Sequence, residues 1–413
     1  MFLIKLALRN ITRHKRRTLL TAVVIAFGIF IYILSDSLLL GMEERGFNNI
    51  IDMETGHLQV SDQNYWKERD QMPLDNLVEF NTKLAAVLKK TPHFKALAPR
   101  LKFKANLNNG FDELPIMVIG IEPEKERQVF TTEEYLVEGS MLTKGKYEAV
   151  IGKSLAELME LQVGDYLTLV FKNKDGVFNT IDAVITGLLH TSHPTINNNV
   201  VYVPLDIAQQ ALNLENEVSE IVIRLKDRIY TEDAVSELSS RLAGLNPGLK
   251  AYSWQQSAKS LIAMVKAENV ENQVVISIFL IIAAVGIINT VILAALERLK
   301  EIGMMKAMGM REREIIFVFM MEAVAIGIIG GIIGCILGAI GVLILNIYGL
   351  DLAWFGGEEI TYGLPILGRF YGVWNPSIFV FMFSFGVIVA LIASILPARW
   401  AARKDPVKAI YHR

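Results

Sequence analysis

The sequence predicts an α+β membrane protein with four transmembrane helices and a large extracytoplasmic α+β domain between the first two. The 413 residues are 52% hydrophobic and only 20% charged, below the roughly 25% charged residues of soluble domains. Four segments are almost free of charge, at residues 18–42, 274–296, 315–347 and 378–396. Lysine and arginine cluster beside these segments, and such clusters set the orientation of a chain in a membrane.

Each charge-poor segment is long enough to be a membrane-spanning helix. A span needs about 20 apolar residues, and the four segments have 25, 23, 33 and 19. They contain two charged residues, Asp36 and Glu322, whereas the other 313 residues contain 82 of the 84 charges. The chain therefore combines a lipid-facing part with a part of soluble composition. Its net charge of −2 gives no indication of a nucleic-acid partner.

The basic residues predict that both chain ends are cytoplasmic. They are concentrated in residues 1–17, 297–314 and 397–413, whereas the connection at 348–377 contains Arg369 as its one basic residue. Residues 348–377 and 43–273 are then on the outer side of the membrane. The first span is predicted to be an uncleaved signal anchor, because 25 apolar residues exceed the core of a signal peptide.

Residues 43–273 are predicted to fold as a split α+β domain with a β-rich subdomain inserted at residues 131–219. The two halves of the split domain show matching patterns of strand, helix and strand, with Thr231 as an expected helix N-cap. The first half has strands at 57–60, 96–103 and 114–121 and a helix at 74–90, and the second has strands at 220–225 and 249–252 around a helix at 231–243. The inserted segment has strands at 149–151, 166–171, 181–188 and 200–203.

Helical patterns extend the first two spans outward. Residues 38–55 and 257–274 have apolar residues at helical spacing and contain no proline. They predict an amphipathic stalk that couples the membrane to the outer domain. The alternative is two unrelated linkers.

Motifs for catalysis or cofactor binding are incomplete in this chain. The run from Gly139 to Lys146 and the triplet that begins at Gly152 both depart from the sequence pattern of the phosphate-binding loop. His190 and His193 are candidate metal ligands, but a turn that carries Pro194 and residues 197–199 is favoured. We therefore predict neither an enzyme nor a metal site, and no cofactor bound by this chain.

Two charged residues and the one cysteine of the chain lie inside the predicted spans. Asp36 is close to the outer end of the first span, where it is expected to reach the interface. Glu322 is either a buried functional carboxylate or, as favoured, a residue near the headgroups, because 33 helical residues exceed a hydrocarbon core of about 30 Å. Cys335 is interpreted as a small packing residue.

The third span carries two rows of glycine at helical spacing. Such rows expose the backbone of a helix and allow another helix to approach closely. They predict a tightly packed bundle, and the residues are Gly327, Gly330, Gly331, Gly334 and Gly338.

The segment between the second and third spans is too short for a domain and rich in alternating charge. It is expected to form a short exposed helix, with Ile302, Met305 and Met308 available for an apolar contact. Methionine suits an adaptable protein interface. The alternative is a solvated hairpin without a partner.

The same segment resembles the coupling segment of the MacB/FtsX/Lol permeases, the mechanotransmission ABC transporters. Their pattern E-R-x-x-E-I-G-x-x-x-A-x-G is matched by Glu297, Arg298, Glu301, Ile302, Gly303, Ala307 and Gly309. The tail at residues 397–410 and the amphipathic helix expected at residues 1–17 are also similar to this family. In length, the chain looks most like the Lol lipoprotein-releasing permeases.

The resemblance implies a porter subdomain interrupted by a sabre subdomain on the periplasmic side of a bacterial inner membrane. It implies two permeases, identical or paralogous, that bind a dimer of a separate cytoplasmic ATPase, which carries ATP and magnesium. The coupling residues would include Met305 and Lys306. The substrate would be a lipoprotein or another amphipathic molecule pushed off the outer leaflet, with contacts expected at Met42, Phe47, Ile50 and Ile51.

Two alternative functions are compatible with the resemblance. One is MacB-like export of drugs or peptides with a periplasmic adaptor. The other, of a different class, is FtsX-like signalling to a cell-wall hydrolase without transport.

Overall fold

The computed structural model describes residues 6, 7, 9, 10, 13, 15–297, 299–351, 359–362, 364–367 and 369–403. The chain forms two compact units. The helical unit comprises residues 1–44, 266–351 and 369–413, and the outer unit comprises residues 45–265 and 352–368. Within the predicted N-terminal amphipathic helix, residues 6, 7, 9, 10 and 13 are helical, and most of its other residues lie outside the described part.

The described helices include four long ones and nine short ones. In chain order they are α1 (Lys15–Ile50), α2 (Gln63–Glu68), α3 (Thr82–Leu88), α4 (Pro123–Val129), α5 (Lys153–Leu158), α6 (Pro194–Asn199), α7 (Leu205–Ala211), α8 (Thr231–Leu245), α9 (Trp254–Ser257), α10 (Lys259–Glu297), α11 (Leu299–Ala307), α12 (Glu312–Tyr348) and α13 (Pro376–Ala402). A π-helical turn, Ile51–Thr55, directly follows α1.

The strands lie mainly in the outer unit. They are β1 (Leu58–Asp62), β2 (Val78–Glu79), β3 (Phe94–Asn108), β4 (Glu113–Ile121), β5 (Leu136–Gly139), β6 (Glu148–Gly152), β7 (Tyr166–Lys172), β8 (Phe178–Leu189), β9 (Val200–Pro204), β10 (Glu217–Val218), β11 (Glu220–Leu225), β12 (Leu249–Ser253), β13 (Leu350–Asp351), β14 (Glu359–Tyr362), β15 (Leu364–Leu367) and β16 (Arg369–Phe370).

Four described helices are long and apolar enough to cross a membrane, and they are α1, α10, α12 and α13. They contain the four predicted spans, so the part of the predicted fold class that concerns the four transmembrane helices is confirmed. Helix α1 continues to Ile50 and α10 begins at Lys259, which confirms the predicted helical extensions. Helix α12 ends where Gly349 adopts a positive φ of 67°, a conformation that glycine tolerates.

The helical unit has its own apolar core on one side of α1. Ala22, Ile25, Ile29 and Ile33 recur at helical spacing and are at most 2% exposed. They pack in one cluster with buried residues of α12 and α13. Among the described side chains, the membrane-spanning part of α10 is the most exposed of the four, and none of those in its most apolar stretch is buried.

The outer unit is built on a ten-stranded sheet. Its order is β12-β1-β11-β3-β4-β9-β6-β8-β5, and β7 pairs with both β3 and β8. Strand β1 lies between β11 and β12, so the two distant halves of the chain segment pair as the split arrangement predicts. Strands β3, β4, β9, β6, β8 and β7 pair in a closed ring.

The inserted segment differs from its predicted boundaries of 131 and 219. Its strands β5 to β9 do not form a closed ring by themselves. The ring also requires β3 and β4, which precede residue 131. The 15-residue strand β3 pairs with β11 through its first half and with β7 through its last residues. One apolar core accordingly contains residues from both parts, such as Val60 and Ile185. The two predicted subdomains therefore share a sheet and a core.

Two local predictions for the outer unit are wrong. The helix expected at residues 74–90 is limited to α3, which Asn81 caps by accepting a hydrogen bond from the Leu84 N–H at 2.9 Å. Thr231 is not an N-cap, because a 3-10 turn at Arg228–Tyr230 precedes α8 and begins with Asp227 as its cap. In each place a side chain caps a helical turn, α3 in one case and the 3-10 turn in the other, at a residue that apolar spacing alone does not reveal.

Candidate functional site

The short helix α11 is anchored to the helical unit through Ile302. This side chain is 1% exposed and clusters with Ile315 of α12 and Ala402 of α13. Met305 is half-buried against the same cluster. The expectation that Ile302 is available to a partner is therefore wrong, because the apolar spacing that marks it also fits an internal contact.

The exposed side of this segment is formed by a different pair of methionines, Met304 within α11 and Met308 directly after it. Met308 is 76% exposed and Met304 is 52% exposed, and Ala307 is exposed between them. The helix ends before Gly309, which has a positive φ of 92°. Together these residues present an apolar edge, called the methionine edge below and defined by Met304, Ala307 and Met308.

The other predicted coupling residues have distinct positions. Gly303 is buried and Glu301 is half-buried. Lys306 places its Nζ 3.3 Å from Glu312 Oε1. Glu297 is the last residue of α10, and Arg298 lies outside the described residues. A bulky substitution at Gly303 would consequently disturb packing and is unsuitable for testing a docking surface.

One row of glycines on α12 faces α1. A Cβ atom on Gly330 would lie 2.8 Å from the Ala22 carbonyl oxygen, and one on Gly334 would lie 2.8 Å from Ile29 Cβ. At Gly338 the nearest atoms belong to the Ile33 side chain. These distances are shorter than any normal carbon contact, so the two helices approach this closely only because α12 lacks side chains there.

The second row of glycines faces α13. A Cβ atom on Gly327 would lie 3.1 Å from Val387 Cα, and one on Gly331 would lie 2.7 Å from the Phe383 ring. The two rows thus place α12 between α1 and α13, within one chain.

The two charged residues and the cysteine of the spans have partners or are buried. Asp36 accepts a hydrogen bond from Asn375 Nδ2 at 3.0 Å, and Cys335 packs beside α13 with its Sγ 3.7 Å from the Phe379 carbonyl oxygen. Glu322 is 3% exposed. The side chain is therefore buried within the protein, and its depth in the membrane stays a prediction.

Three of the four expected substrate contacts are occupied by internal packing. Ile50 and Ile51 are 0% and 2% exposed, and the Phe47 ring lies 5.3 Å from the Trp254 ring. Met42 is half-buried. Ile50 and Ile51 are therefore corrected to core residues of the outer unit. Their apolar spacing is equally compatible with a buried helix end, which the sequence could not distinguish from a stalk surface.

The π-helical turn after α1 is held by an arginine that no sequence motif indicates. Arg100 of β3 is 1% exposed. Its Nη1 donates to the Glu54 carbonyl oxygen at 3.0 Å and its Nη2 to that of Met53 at 3.4 Å. The last carbonyls of a helix lack partners within the helix, and Arg100 supplies donors to two of them.

Arg100 is itself fixed by Glu126 and Phe130. Both Nε and Nη2 donate to Glu126 Oε1, and the guanidinium carbon lies 3.4 Å from the centre of the Phe130 ring. Burial alone would lower the pKa of Arg100, but the adjacent Glu126 carboxylate outweighs it and raises this pKa. The guanidinium therefore stays charged, and both Arg100 and Glu126 are buried.

The histidines singled out by sequence do not form a recognisable metal centre among the described residues. His193 Nε2 lies 3.0 Å from Glu54 Oε2 of the π-helical turn. The expected turn is instead the short helix α6, which begins at Pro194. Asn197 is 2% exposed and its Nδ2 donates to the Thr191 carbonyl oxygen at 2.7 Å.

A cavity of about 670 Å³ lies in the outer unit beside this turn. Its charged and polar lining includes Glu54, Arg100, Lys102, His193, Tyr202 and Glu220. Lys102 and Glu220 pair at 2.7 Å, and burial raises the pKa of Tyr202. Two polar pairs of the lining, Lys102 with Glu220 and Glu54 with His193, therefore contact each other.

Two protein-family models match the chain. The model of the FtsX-like permease C-terminal region matches residues 274–406. The model of the MacB-like periplasmic core domain matches residues 18–241, which is more than half of the chain.

Curated relatives are similar at low identity. An uncharacterized ABC transporter permease of Methanocaldococcus jannaschii is 26% identical over 296 residues, which cover 70% of this chain and 68% of that protein. The lipoprotein-releasing system transmembrane protein LolC of Xylella fastidiosa is 25% identical and covers 77% and 78% of the two chains. The macrolide export ATP-binding/permease protein MacB of Bartonella quintana is 22% identical over 98% of this chain, which spans 58% of that protein.

Two crystal structures match part of the chain at 14% identity. The extracellular domain of the transporter YknZ from Gram-positive bacteria covers 48% of this chain and 100% of its own, with a TM-score of 0.35. The periplasmic region of MacB from Actinobacillus actinomycetemcomitans covers 52% and 95%, with a TM-score of 0.38.

The sequence matches agree with the described architecture. Four long apolar helices and a large α+β domain between the first two account for the regions that the two family models cover. The chain therefore belongs to the ABC transporter permeases of the MacB, FtsX and LolC type.

Proposed function

We propose that this chain is the permease subunit of an ABC transporter whose ATPase is a separate cytoplasmic protein. Two permeases and two ATPase copies form the transporter, in a bacterial inner membrane, with both permease ends in the cytoplasm. ATP binding brings the ATPase copies together, and the permeases convert this movement into a movement of their periplasmic domains. ATP and magnesium bind to the ATPase.

The observation that carries this proposal is the methionine edge of α11. Ile302 is 1% exposed and anchors the helix to α12 and α13. A displacement of α11 therefore also displaces the helices that pack against it. Met304 and Met308 leave flexible apolar side chains exposed beside it, which suits docking into a groove of a partner. An anchored inner face and an exposed outer face are what a coupling helix requires.

The proposed reaction is the release of lipoproteins from the outer leaflet for sorting to the outer membrane. Similarity to LolC over more than three quarters of both chains supports it. The substrate is lipid-anchored or amphipathic and is pushed off the membrane, and a periplasmic carrier can receive it. MacB-like export is the second candidate, favoured by the match to MacB over 98% of this chain.

The test is reconstitution of the permease with its co-purifying ATPase in proteoliposomes that contain a fluorescent triacylated lipoprotein. An excess of a periplasmic carrier is added outside the vesicles. We then expect ATP to release the lipoprotein into the supernatant. Release should fail without ATP and with a Met304→Asp, Met308→Asp permease. Export of a soluble drug or peptide without lipoprotein release would favour the MacB-like function instead, and absence of any ATPase in the purified complex would refute the proposal.

A further inference from the structure

The junction between α1 and the outer sheet is an unusual piece of backbone. The turn Ile51–Thr55 is π-helical, a conformation that occurs mostly as single turns and frequently at functional sites. It closes with the Gly56 N–H donating to the Ile51 carbonyl oxygen at 3.0 Å. Gly56 has a φ of 60°, and a Cβ atom there would lie 2.3 Å from Val222, so the chain leaves the helix tightly against β11.

Polar contacts hold this turn from several sides of the outer unit. Asp52 Oδ1 lies 2.5 Å from Arg224 Nη1 of β11, and the Asp52 carbonyl oxygen accepts from the Thr131 N–H at 3.0 Å. Glu54 pairs with His193 at 3.0 Å. These contacts come from β11, from the segment after α4 and from the start of α6, and they add to the two carbonyl contacts of Arg100.

Arg100 is the central member of this set. It reaches the backbone carbonyls of the turn, the Glu126 carboxylate of α4 and the Phe130 ring at the same time. A buried ion pair contributes little net stability compared with apolar residues of the same size. Its rigid fork of donors, however, fixes the relative positions of every group that it contacts. The contribution of Arg100 is therefore to fix the relative positions of these groups and not to add net stability.

We propose that Arg100 is the positioning residue of a clamp, made with Asp52, Glu54 and Glu126, through which a movement of α1 is transferred to the sheet of the outer unit. The inference rests on the proposed function, since it assumes that nucleotide moves α1. Arg100 binds the backbone carbonyls at the end of the helix. A displacement of the turn therefore also displaces β3 and α4. Without the clamp, α1 moves and the π-helical turn deforms instead.

The experiment measures nucleotide-dependent distances by electron paramagnetic resonance in the assembled transporter in lipid nanodiscs. Spin labels are placed in a Cys335→Ser background at one of two exposed sites, Arg45→Cys on α1 or Phe111→Cys on the β3–β4 hairpin. Each distance is between the two permease copies. In the unmodified clamp, both distances should change when ATP is bound.

The clamp variant is Arg100→Met with Glu126→Leu, which removes both charges together and so leaves no unpaired buried charge. We expect the change at position 45 to persist and the change at position 111 to fall by more than half. Arg100→Lys keeps a charge against Glu126 but cannot fork to both carbonyls, and it should give an intermediate loss. Arg69→Met is the matched control, because Arg69 lines the same cavity but donates to the Trp66 carbonyl oxygen and not to the turn.

Two results would overturn the inference in distinguishable ways. If the clamp variant keeps the full change at position 111, or if Arg69→Met loses it equally, Arg100 does not transfer movement. If position 45 fails to respond to ATP in the unmodified protein, the proposed function is wrong and the clamp has no movement to transfer.

Discussion

Truncating the methionine edge should weaken ATPase binding by a predictable amount. Full burial of a methionine side chain is worth about 1.5–3 kcal/mol. Met308 is 76% exposed and Met304 is 52% exposed in the permease, so docking can bury most of the first side chain and half of the second. Because alanine keeps one side-chain carbon, the double truncation should cost about 1.5–2.5 kcal/mol, which corresponds to a Kd raised about 10- to 100-fold.

The assay is the Kd of the co-purifying ATPase for the permease in nanodiscs, measured by biolayer interferometry for the wild type and for Met304→Ala, Met308→Ala. Met264→Ala is the matched control, since Met264 is 51% exposed on the outer part of α10. Its Kd should equal that of the wild type. A double variant that binds within twofold of the wild type would show that the ATPase docks elsewhere on the permease.

Three further predictions concern stability. Gly334→Leu should lower the Tm of the detergent-solubilised permease, because its Cβ would lie 2.8 Å from Ile29 Cβ and overpacking costs about 1–3 kcal/mol. Gly286→Leu has open space at its Cβ and should leave the Tm unchanged, so an equal loss of Tm in both variants would contradict the packing assignment. Burial lowers the pKa of His57 from 6.5 to about 4, so folding favours the neutral ring, whose Nδ1 accepts from the Leu225 N–H. Stability should therefore be complete above pH 6.5 and fall by about 3 kcal/mol as the pH drops to about 4, with a flatter profile for His57→Gln in chemical denaturation. Glu126→Leu alone should cost about 3–5 kcal/mol because Arg100 is left buried and unpaired, and the added Arg100→Met change should recover part of it; additive losses in a double-mutant cycle would refute the pairing.

The membrane helices were predictable because their signal is composition over a long window. Residues 315–347 contain one charge, and the structure has a helix from Glu312 to Tyr348. The glycine rows were also readable, since Gly330, Gly334 and Gly338 share one face at a spacing that the α-helix dictates. In such segments the local sequence carries the information that the structure uses.

The failures occur where a long-range contact decides the outcome. Ile302 looks like a docking residue by spacing, but Ala402, one hundred residues later, buries it. Residues 74–90 have apolar residues for a helix, yet β2 pairs with the distant β10 there. Arg100 is one of four cations in strand β3, and its role depends on a turn 46 residues earlier. Spacing within one segment cannot reveal partners of this kind.

The boundary of the inserted subdomain failed for a related reason. Strand β3 was expected to end at Phe103, but it runs to Asn108 and pairs there with β7. Its alternation of apolar and polar residues persists through Lys104 and Asn106, which is the signal for a longer strand. Residues 131–219 thereby complete a ring of strands that begins outside them.

Photocrosslinking in intact cells tests the central claim most directly. A benzoylphenylalanine at position 308 of the methionine edge should crosslink to an ABC ATPase, identified by mass spectrometry of the adduct. The same group at position 264 should give no ATPase adduct. Crosslinks from position 308 to lipid alone, or an ATPase adduct from both positions, would contradict the account that α11 couples this permease to its ATPase.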